Sequence, residues 1–171
     1  TAVKVMDEKT AIQKGLIEYF GEDLDNEYIK KTKTLSLKNK ENEHQYAELK
    51  IFYTPLHGTG NKPVRRILGE LGYNSVYVVK EQEMPDPDFS TVKYPNPEEK
   101  DAFKLAIELD KKIGADLIIG TDPDCDRLGV VVKNHENEYI VLTGNQTGCL
   151  LMDYILTRKK ENGELPENGF V

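Results

Sequence analysis

Apolar residues recur along the chain at intervals that change from those of helices to those of strands. Intervals of three and four residues predict amphipathic helices, which cover residues 7–20, 26–35, 64–71, 97–112 and 143–158. Short runs rich in β-branched and aromatic residues predict strands, which cover residues 49–53, 75–79, 130–132 and 138–142 and a further run that begins at 117. The succession of strand, helix and strand over 49–79 is typical of a βαβ unit, so we expect an α/β fold with parallel strands.

Two stretches interrupt this pattern. Residues 38–45 are polar and predict an exposed connection, so we divide the chain into a helical lead-in segment, 1–45, and a main α/β domain, 46–171. Prolines at positions 85, 87, 95 and 97 predict a long loop over 84–97, and loops of this length in compact domains are often functional. Asn96 as an N-cap and Pro97 as a first helical residue predict the start of the helix that follows.

Composition and charge restrict the classes of protein to which the chain can belong. Its residues are 38% hydrophobic and 31% charged, which is typical of a soluble globular protein. No apolar run approaches the ~20 residues of a membrane helix, and the net charge of −7 argues against a nucleic-acid or anionic-membrane partner. We therefore expect a cytoplasmic protein with no nucleic-acid or membrane partner. The chain lacks an initiator Met and ends at 169–171 like the start of a strand, which predicts a fragment of a longer polypeptide.

Three aspartates and an arginine stand between two apolar runs. Asp122, Asp124 and Asp126 alternate along a loop that Arg127 closes. Carboxylates this close repel one another, and Arg127 offsets only part of that repulsion. A hard divalent cation, which prefers oxygen ligands, would offset the rest, so the loop predicts a metal site. It is not an EF-hand, because that motif needs Gly at its sixth position and Glu at its twelfth, where this chain has Arg127 and Lys133.

Two other interpretations of the aspartate loop stay open. In phosphatases of the haloacid-dehalogenase type, an aspartate after a buried strand is the nucleophile, and Asp122 and Asp124 fit that pattern. Asp126 stands where that class usually has Thr or Val. The loop could also belong to a non-catalytic module that binds a divalent metal. An acidic surface turn is a poor explanation, because it does not account for the apolar strands on both sides.

A glycine-rich turn over residues 54–62 follows the first predicted strand. It fails the Walker A motif, which needs G-K-[ST] where this chain has Gly60-Asn61-Lys62-Pro63, and it fails the dinucleotide-binding fingerprint, which needs a third glycine where this chain has Pro63. The turn could present backbone N–H groups to an anion, or it could be only a tight turn. His57, inside this turn, is a candidate for a buried histidine bonded to backbone, and the sequence assigns it no role.

The aspartate loop resembles one family in particular. From Gly120 to Val132 the sequence is similar to the metal-binding loop of the α-D-phosphohexomutases, the phosphoglucomutase and phosphomannomutase enzymes. Further similar segments stand in the order expected for the second domain of that four-domain family. These segments are 54–58, 85–87 with 96–98, and 142–146.

The resemblance implies a fold and a mechanism. The fold is a three-layer α/β/α domain with a mixed, mostly parallel sheet. The mechanism is exchange of a phosphoryl group between a phosphoserine and a sugar phosphate, through a bisphosphate intermediate. Mg²⁺ would be held by Asp122, Asp124 and Asp126. Arg127 would be the catalytic residue beside the transferring group, where its planar fork suits phosphate oxygens.

The resemblance has one large gap. The family's serine loop, of the Ser-His-Asn-Pro type, is absent, since Ser36, Ser75 and Ser90 all have other neighbours. We therefore expect this chain to be inactive alone and to act with missing domains on a glucose or mannose phosphate. The Pro-Leu-His-Gly and Asn-Pro-Glu segments favour glucose by resemblance only, and the chain does not specify the hexose.

Overall fold

The computed structural model describes residues 4–38 and 43–169. The chain divides into two compact units, Thr1–Leu35 and Ser36–Val171. The division predicted at residue 45 stays a prediction, and the strand start predicted at 169–171 lies largely outside the described residues.

Helix α1 of the first unit is shorter than the sequence pattern predicts. It covers Glu8–Gln13, and Asp7 caps its N-terminus by accepting a 3.0 Å hydrogen bond from a backbone N–H of the first turn. Gly15 has a φ of +66°, a left-handed conformation that reverses the chain at a helix C-terminus. The predicted helix over 7–20 is therefore wrong beyond Gln13, because this glycine ends it first.

Helix α2 covers Glu22–Lys33 and begins four residues before the predicted start at 26. Its first turn carries three acidic side chains and its last turn three lysines. The acidic side chains and the lysines both complement the helix dipole. The acidic side chains of the first turn therefore explain why the helix begins earlier than the apolar pattern predicts.

The second unit alternates helices and strands. Its elements are α3 (Glu43–Glu48), β1 (Lys50–Thr54), α4 (Asn61–Glu70), β2 (Ser75–Val78), α5 (Lys104–Ile113), β3 (Leu117–Thr121), β4 (Leu128–Lys133), β5 (Tyr139–Val141) and α6 (Gly144–Glu161). Two 3₁₀ turns, Lys80–Gln82 and Lys100–Phe103, stand on either side of the long loop. Helix α3 replaces part of the connection predicted over 38–45, of which 39–42 lie outside the described residues.

The five strands form one sheet in the order β2-β1-β3-β4-β5. Strand β1 pairs in parallel with β2 and with β3, whereas β4 is antiparallel to both of its neighbours. Four of the five strands in the described part of the chain thus run in one direction. The predicted α/β class, the parallel βαβ unit and the mixed, mostly parallel sheet are confirmed.

The hydrophobic core lies on one face of the sheet, under α5. Phe52, Ile118 and Val131 stand side by side on β1, β3 and β4, and each is at most 2% exposed. Phe103 and Ala106 pack on them from the helix side. Burial of each large apolar side chain stabilises the folded state by about 1.5–3 kcal/mol. Because a shift of one strand would take its side chain out of the row, the row fixes the register of the three central strands.

Helix α4 begins on the opposite face. Because side chains alternate along a strand, Tyr53 points away from the face that Phe52 covers. A Cβ atom placed on Gly60, the residue before α4, would lie 2.6 Å from the Tyr53 hydroxyl oxygen. Helices therefore flank the sheet on both faces, as the predicted three-layer α/β/α architecture requires.

The segment after the long loop starts its helix later than predicted. Pro97 is fully buried, and a Cβ atom on Gly129 of β4 would lie 2.0 Å from its carbonyl oxygen. Asn96 accepts a 3.1 Å hydrogen bond from the backbone N–H two residues on, which makes a turn rather than a helix cap. The helix predicted over 97–112 is therefore wrong at its start, because contact with β4 holds Pro97 in the loop and helical structure begins only at Lys100.

Helix α6 follows its sequence signals closely. Thr143 and Gln146 form a capping box, in which each side chain bonds the other's backbone N–H at 3.2 and 2.9 Å. No residue of this 18-residue helix, all of which the structure describes, is buried. Within the described ranges, no helix combines the length and apolar character needed to cross a membrane.

Candidate metal centre

The aspartate loop is the connection of a β-hairpin. Strands β3 and β4 pair antiparallel with Thr121 opposite Leu128, which leaves residues 122–127 as the loop. Asp122 is buried, and its Oδ1 accepts hydrogen bonds from the backbone N–H groups of Asp126, at 3.1 Å, and Arg127, at 2.9 Å. The loop thus curls around the first carboxylate, which lies at its centre.

Three carboxylates converge in this loop. Asp122, Asp124 and Asp126 each offer one oxygen, and these oxygens all lie within 4.8 Å of one another. Asp122 is buried at the base, while Asp124 and Asp126 are exposed. A donor set made only of carboxylate oxygens, with an open outer side, is typical of sites for Mg²⁺, which keeps several waters or substrate oxygens among its ligands.

The electrostatics of the loop are those of crowded anions. The negative charge of Asp124 raises the pKa of Asp126. A side-chain hydrogen bond with Asp122 and the negative charge of Asp122 raise this pKa further. Burial acts to raise the pKa of Asp122, but the Arg127 N–H, the neighbouring carboxyl groups and the Arg127 charge hold it below its ordinary value. Once one carboxyl group of the cluster has lost its proton, its negative charge makes the next proton harder to remove. A bound cation would relieve this repulsion between the carboxylates.

Arg127 lies directly beside the carboxylates. Its Nε is 3.3 Å from Asp122 Oδ2 and 3.8 Å from Asp126 Oδ1. The side chain is 57% exposed, so only one edge of the guanidinium is committed to the loop. The remaining N–H groups can therefore donate to a ligand in the adjoining space.

A cleft of about 600 Å³ adjoins the loop. Tyr94, Asn96 and Glu99 line one side of it, and Asp122, Asp124 and Arg127 line the other. The long proline-rich loop thus supplies one wall of the candidate site, as its length suggested. The sequence did not show which of its residues would face the aspartates.

The glycine-rich turn supports the aspartate loop from behind. Thr59 donates hydrogen bonds from its backbone N and its Oγ1 to the Pro123 carbonyl oxygen, at 2.8 and 3.1 Å. A Cβ atom on Gly58 would lie 2.5 Å from Pro123 Cα, and one on Gly60 would lie 2.7 Å from Cys125 Sγ. The glycines are therefore needed for close packing against the aspartate loop, a use that sequence analysis missed.

The same turn has few N–H groups left for an anion. The backbone N–H groups of His57, Gly58 and Thr59 donate to carbonyl oxygens of Gln82, Pro55 and Pro123, at 2.8–2.9 Å. His57 itself is 7% exposed, and both of its ring nitrogens have partners. Among the described residues, the turn is therefore a packed support and not an open anion cradle.

Comparison with known proteins places the sequence of this chain in a family. A family model described as phosphoglucomutase/phosphomannomutase, alpha/beta/alpha domain II, matches residues 26–136. The chain therefore belongs to the phosphoglucomutase/phosphomannomutase family, as the resemblance of its aspartate loop predicted.

Two curated relatives and one solved structure show how similar the chain is to individual proteins. The chain is 46% identical over 120 residues to a phosphoglucomutase of Staphylococcus epidermidis, covering 70% of this chain and 21% of the relative. It is 37% identical over 156 residues to a phosphomannomutase of Mycoplasmoides pirum, covering 91% of this chain and 28% of the relative. The structure of a putative phosphomannomutase from Thermus thermophilus aligns with a TM-score of 0.47 at 20% identity, over 58% of this chain and 22% of that one. The matches thus span between 21% and 28% of the length of these relatives.

Proposed function

We propose that this chain is the metal-binding domain of a phosphohexomutase, an enzyme that interconverts hexose 1-phosphate and hexose 6-phosphate. The observation that carries the proposal is the convergence of Asp122, Asp124 and Asp126 within 4.8 Å in a domain II of this family. These residues would hold Mg²⁺ through one oxygen each. When bound, the cation would neutralise charge on the phosphoryl group during its transfer.

Arg127 is the proposed catalytic residue of this domain. It reaches the cleft beside the carboxylates, and its guanidinium offers paired N–H donors that match two phosphate oxygens. Asp122 holds the inner edge of the guanidinium, so the outer edge is oriented toward the cleft before any ligand arrives. Orientation of this kind lowers the reorganisation needed when charge develops on the phosphoryl group.

The nucleophile of the proposed reaction would come from outside this domain. The chain has three serines, none of them in a Ser-His-Asn-Pro loop, and Ser90 is bonded to Asp86 at 2.5 Å. The proposed phosphoserine would therefore come from a further domain, which the greater length of the relatives supports. Glucose or mannose phosphate is the proposed substrate class, which the names of the relatives support.

Magnesium is expected to stabilise the folded chain. Because only the folded state brings the three carboxylates together, a tenfold excess of Mg²⁺ over its dissociation constant should raise the free energy of unfolding by about 1.4 kcal/mol. Thermal melts with and without Mg²⁺, at ionic strength matched with a monovalent salt, measure this change.

A pair of variants makes the magnesium test specific. Asp124→Asn should abolish the stabilisation, because it removes a ligand that lies exposed at the outer side of the loop. Asp153→Asn, which removes the same charge from the exposed surface of α6, should leave the stabilisation unchanged. An equal response of the two variants to Mg²⁺ would show only general charge screening and would contradict the site.

The chain alone is expected to show no phosphoryl-transfer chemistry. A metal ion and an arginine do not accept a phosphoryl group themselves. Because no nucleophile is held in line with the phosphoryl group, the transfer has no acceptor. We expect neither Mg²⁺-dependent hydrolysis of p-nitrophenyl phosphate nor interconversion of glucose 1- and 6-phosphates. A fusion protein that joins the chain to the remaining domains of a relative should regain mutase activity that depends on glucose 1,6-bisphosphate.

The same assay separates the mutase from the phosphatase alternative. A phosphatase of the haloacid-dehalogenase type would use Asp122 itself as the nucleophile, so its hydrolysis would survive in this chain. Hydrolysis that disappears in Asp122→Asn would therefore reject the mutase proposal and favour the phosphatase.

A further inference from the structure

His57 is held at every polar atom of its ring. Its Nδ1 lies 2.8 Å from the Met84 carbonyl oxygen, and its Nε2 lies 2.7 Å from Thr91 Oγ1. A carbonyl oxygen only accepts, so in the neutral ring Nδ1 carries the proton and Nε2 accepts from the Thr91 hydroxyl. The backbone N–H of His57 also donates to the Gln82 carbonyl oxygen, at 2.9 Å. The surroundings therefore select one tautomer and one orientation of the ring.

A buried polar network extends this arrangement. Gln82, which is fully buried, accepts from Thr54 Oγ1 at 2.7 Å and donates from Nε2 to Thr91 Oγ1 at 3.3 Å. The network joins the end of β1, the 3₁₀ turn after β2 and the long proline-rich loop. Its hydroxyls and amide bond mainly to one another, so each member limits the positions that the others can occupy.

The backbone at His57 needs such restraint. Leu56 and His57 have φ values of +46° and +64°, and two successive non-glycine residues in the left-handed region are strained. This conformation turns the chain so that Gly58 and Thr59 lie against Pro123. The partners of the ring therefore add to the local bond from the Gly58 N–H to the Pro55 carbonyl oxygen in holding this strained turn.

Pro123 lies between two of the candidate metal ligands. Thr59 holds its carbonyl oxygen with two hydrogen bonds, and the Gly58 backbone fits against its Cα. A shift of the turn at residues 57–59 would therefore move Pro123 and, with it, the carboxylates of Asp122 and Asp124 on either side.

We propose that His57 is a positioning residue for the metal centre, acting through the turn and Pro123 and held in its Nδ1–H tautomer by Met84 and Thr91. It does not contact the metal or the reacting atoms. This inference rests on the proposed function, since it assumes that the aspartates bind Mg²⁺. It assigns a role to the histidine that sequence analysis left without one.

Thr91 gives a cleaner test than His57, whose replacement would remove both hydrogen bonds of the ring at once. Thr91→Val keeps the shape but removes the hydroxyl that bonds Nε2, whereas Thr91→Ser keeps the hydroxyl. We expect Thr91→Val to weaken Mg²⁺ affinity by about tenfold, the low end of the range for residues that orient metal ligands. Thr91→Ser should bind Mg²⁺ as the wild type does. Calorimetric titration of each folded variant with MgCl₂ measures the affinity.

Two further measurements separate positioning from general loss of stability. Nitrogen-15 NMR of the histidine rings should show His57 as the Nδ1–H tautomer in the wild type and in Thr91→Ser, with a mixture of tautomers in Thr91→Val. Asp110→Asn, which breaks an ion pair at the other end of β4, should lower stability without changing Mg²⁺ affinity.

The outcomes distinguish this inference from the function on which it rests. If the wild type binds Mg²⁺ and Thr91→Val binds it equally well, or no more weakly than Asp110→Asn, the positioning role is rejected and the metal site stands. A wild-type ring in the other tautomer also rejects it. If the wild type binds no Mg²⁺, the proposed metal site and the positioning role are both rejected.

Discussion

Gly129→Ala is expected to destabilise the second unit by about 3 kcal/mol, at the upper end of the cost of overpacking. The new Cβ atom would lie 2.0 Å from the Pro97 carbonyl oxygen and 2.7 Å from Pro97 Cβ. Neither group can move easily, because Pro97 is fully buried and Gly129 is paired within the sheet opposite Gly120. Urea denaturation followed by circular dichroism measures the change.

A second glycine provides the matched control. Gly148 lies within α6, and nothing stands within 4 Å of the position that its Cβ would take. Gly148→Ala should therefore stabilise the helix by about 0.5–1 kcal/mol, since alanine loses less backbone entropy on folding. If Gly129→Ala were as stable as the wild type, the close contact between β4 and the proline-rich loop would be wrong.

Asp110→Asn is expected to destabilise the second unit by about 2–3 kcal/mol near neutral pH. Asp110 is 1% exposed and accepts hydrogen bonds from Lys133 Nζ, Tyr139 Oη and the Ala115 N–H, the first two at 2.5 Å. Removing one partner of a buried ion pair typically costs about 3–5 kcal/mol. We expect less here, because the Lys133 side chain is 32% exposed and can turn toward solvent.

The loss should depend on pH with a defined sign. Burial acts to raise the pKa of Asp110, but the hydrogen bonds from Lys133, Tyr139 and Ala115 outweigh it and hold the pKa below its ordinary value. A carboxyl whose folded pKa is depressed stabilises the fold above its unfolded pKa, about 3.9, and loses this contribution as the pH falls through the folded pKa. The difference between wild type and Asp110→Asn should therefore shrink below about pH 4.

An exposed ion pair serves as the control for Asp110. Lys30 and Glu27 lie 3.5 Å apart, and both side chains are more than 70% exposed. Glu27→Gln should change the free energy of unfolding by less than about 0.5 kcal/mol at any pH, because solvent screens such pairs. A cost for Asp110→Asn that stayed constant between pH 7 and pH 3 would contradict the buried ion pair.

The parts of the fold that could be predicted from sequence are those specified by local signals. The strand before Asp122 opens with the apolar run Leu117–Ile119, and α6 opens with a capping box whose two residues stand three apart. The aspartates were predicted to be a metal site because their spacing places three carboxylates in one short loop. Each of these signals is complete within a few residues, so no distant contact is needed to interpret it.

The features that sequence analysis missed depend on distant contacts. The late start of the helix after Pro97 follows from its contact with Gly129, and the glycines at 58 and 60 are explained only by Pro123 and Cys125. One signal was present in the sequence: two glycines two residues apart in a turn that matched no phosphate-binding motif. Such a pattern indicates close approach of another backbone, but it does not say which one.

The hairpin that carries the aspartates also has a consequence for the order in which the domain folds. Thr121 and Leu128 pair only seven residues apart, whereas Ile51 and Leu117 pair 66 residues apart. Closing the larger loop costs about 2 kcal/mol more in chain entropy. The three carboxylates are therefore brought together by a local contact, whereas the glycine turn behind them depends on the long-range pairing of β1 with β3. We therefore expect the candidate ligands to gather before the turn that supports them is brought into place by the pairing of β1 with β3.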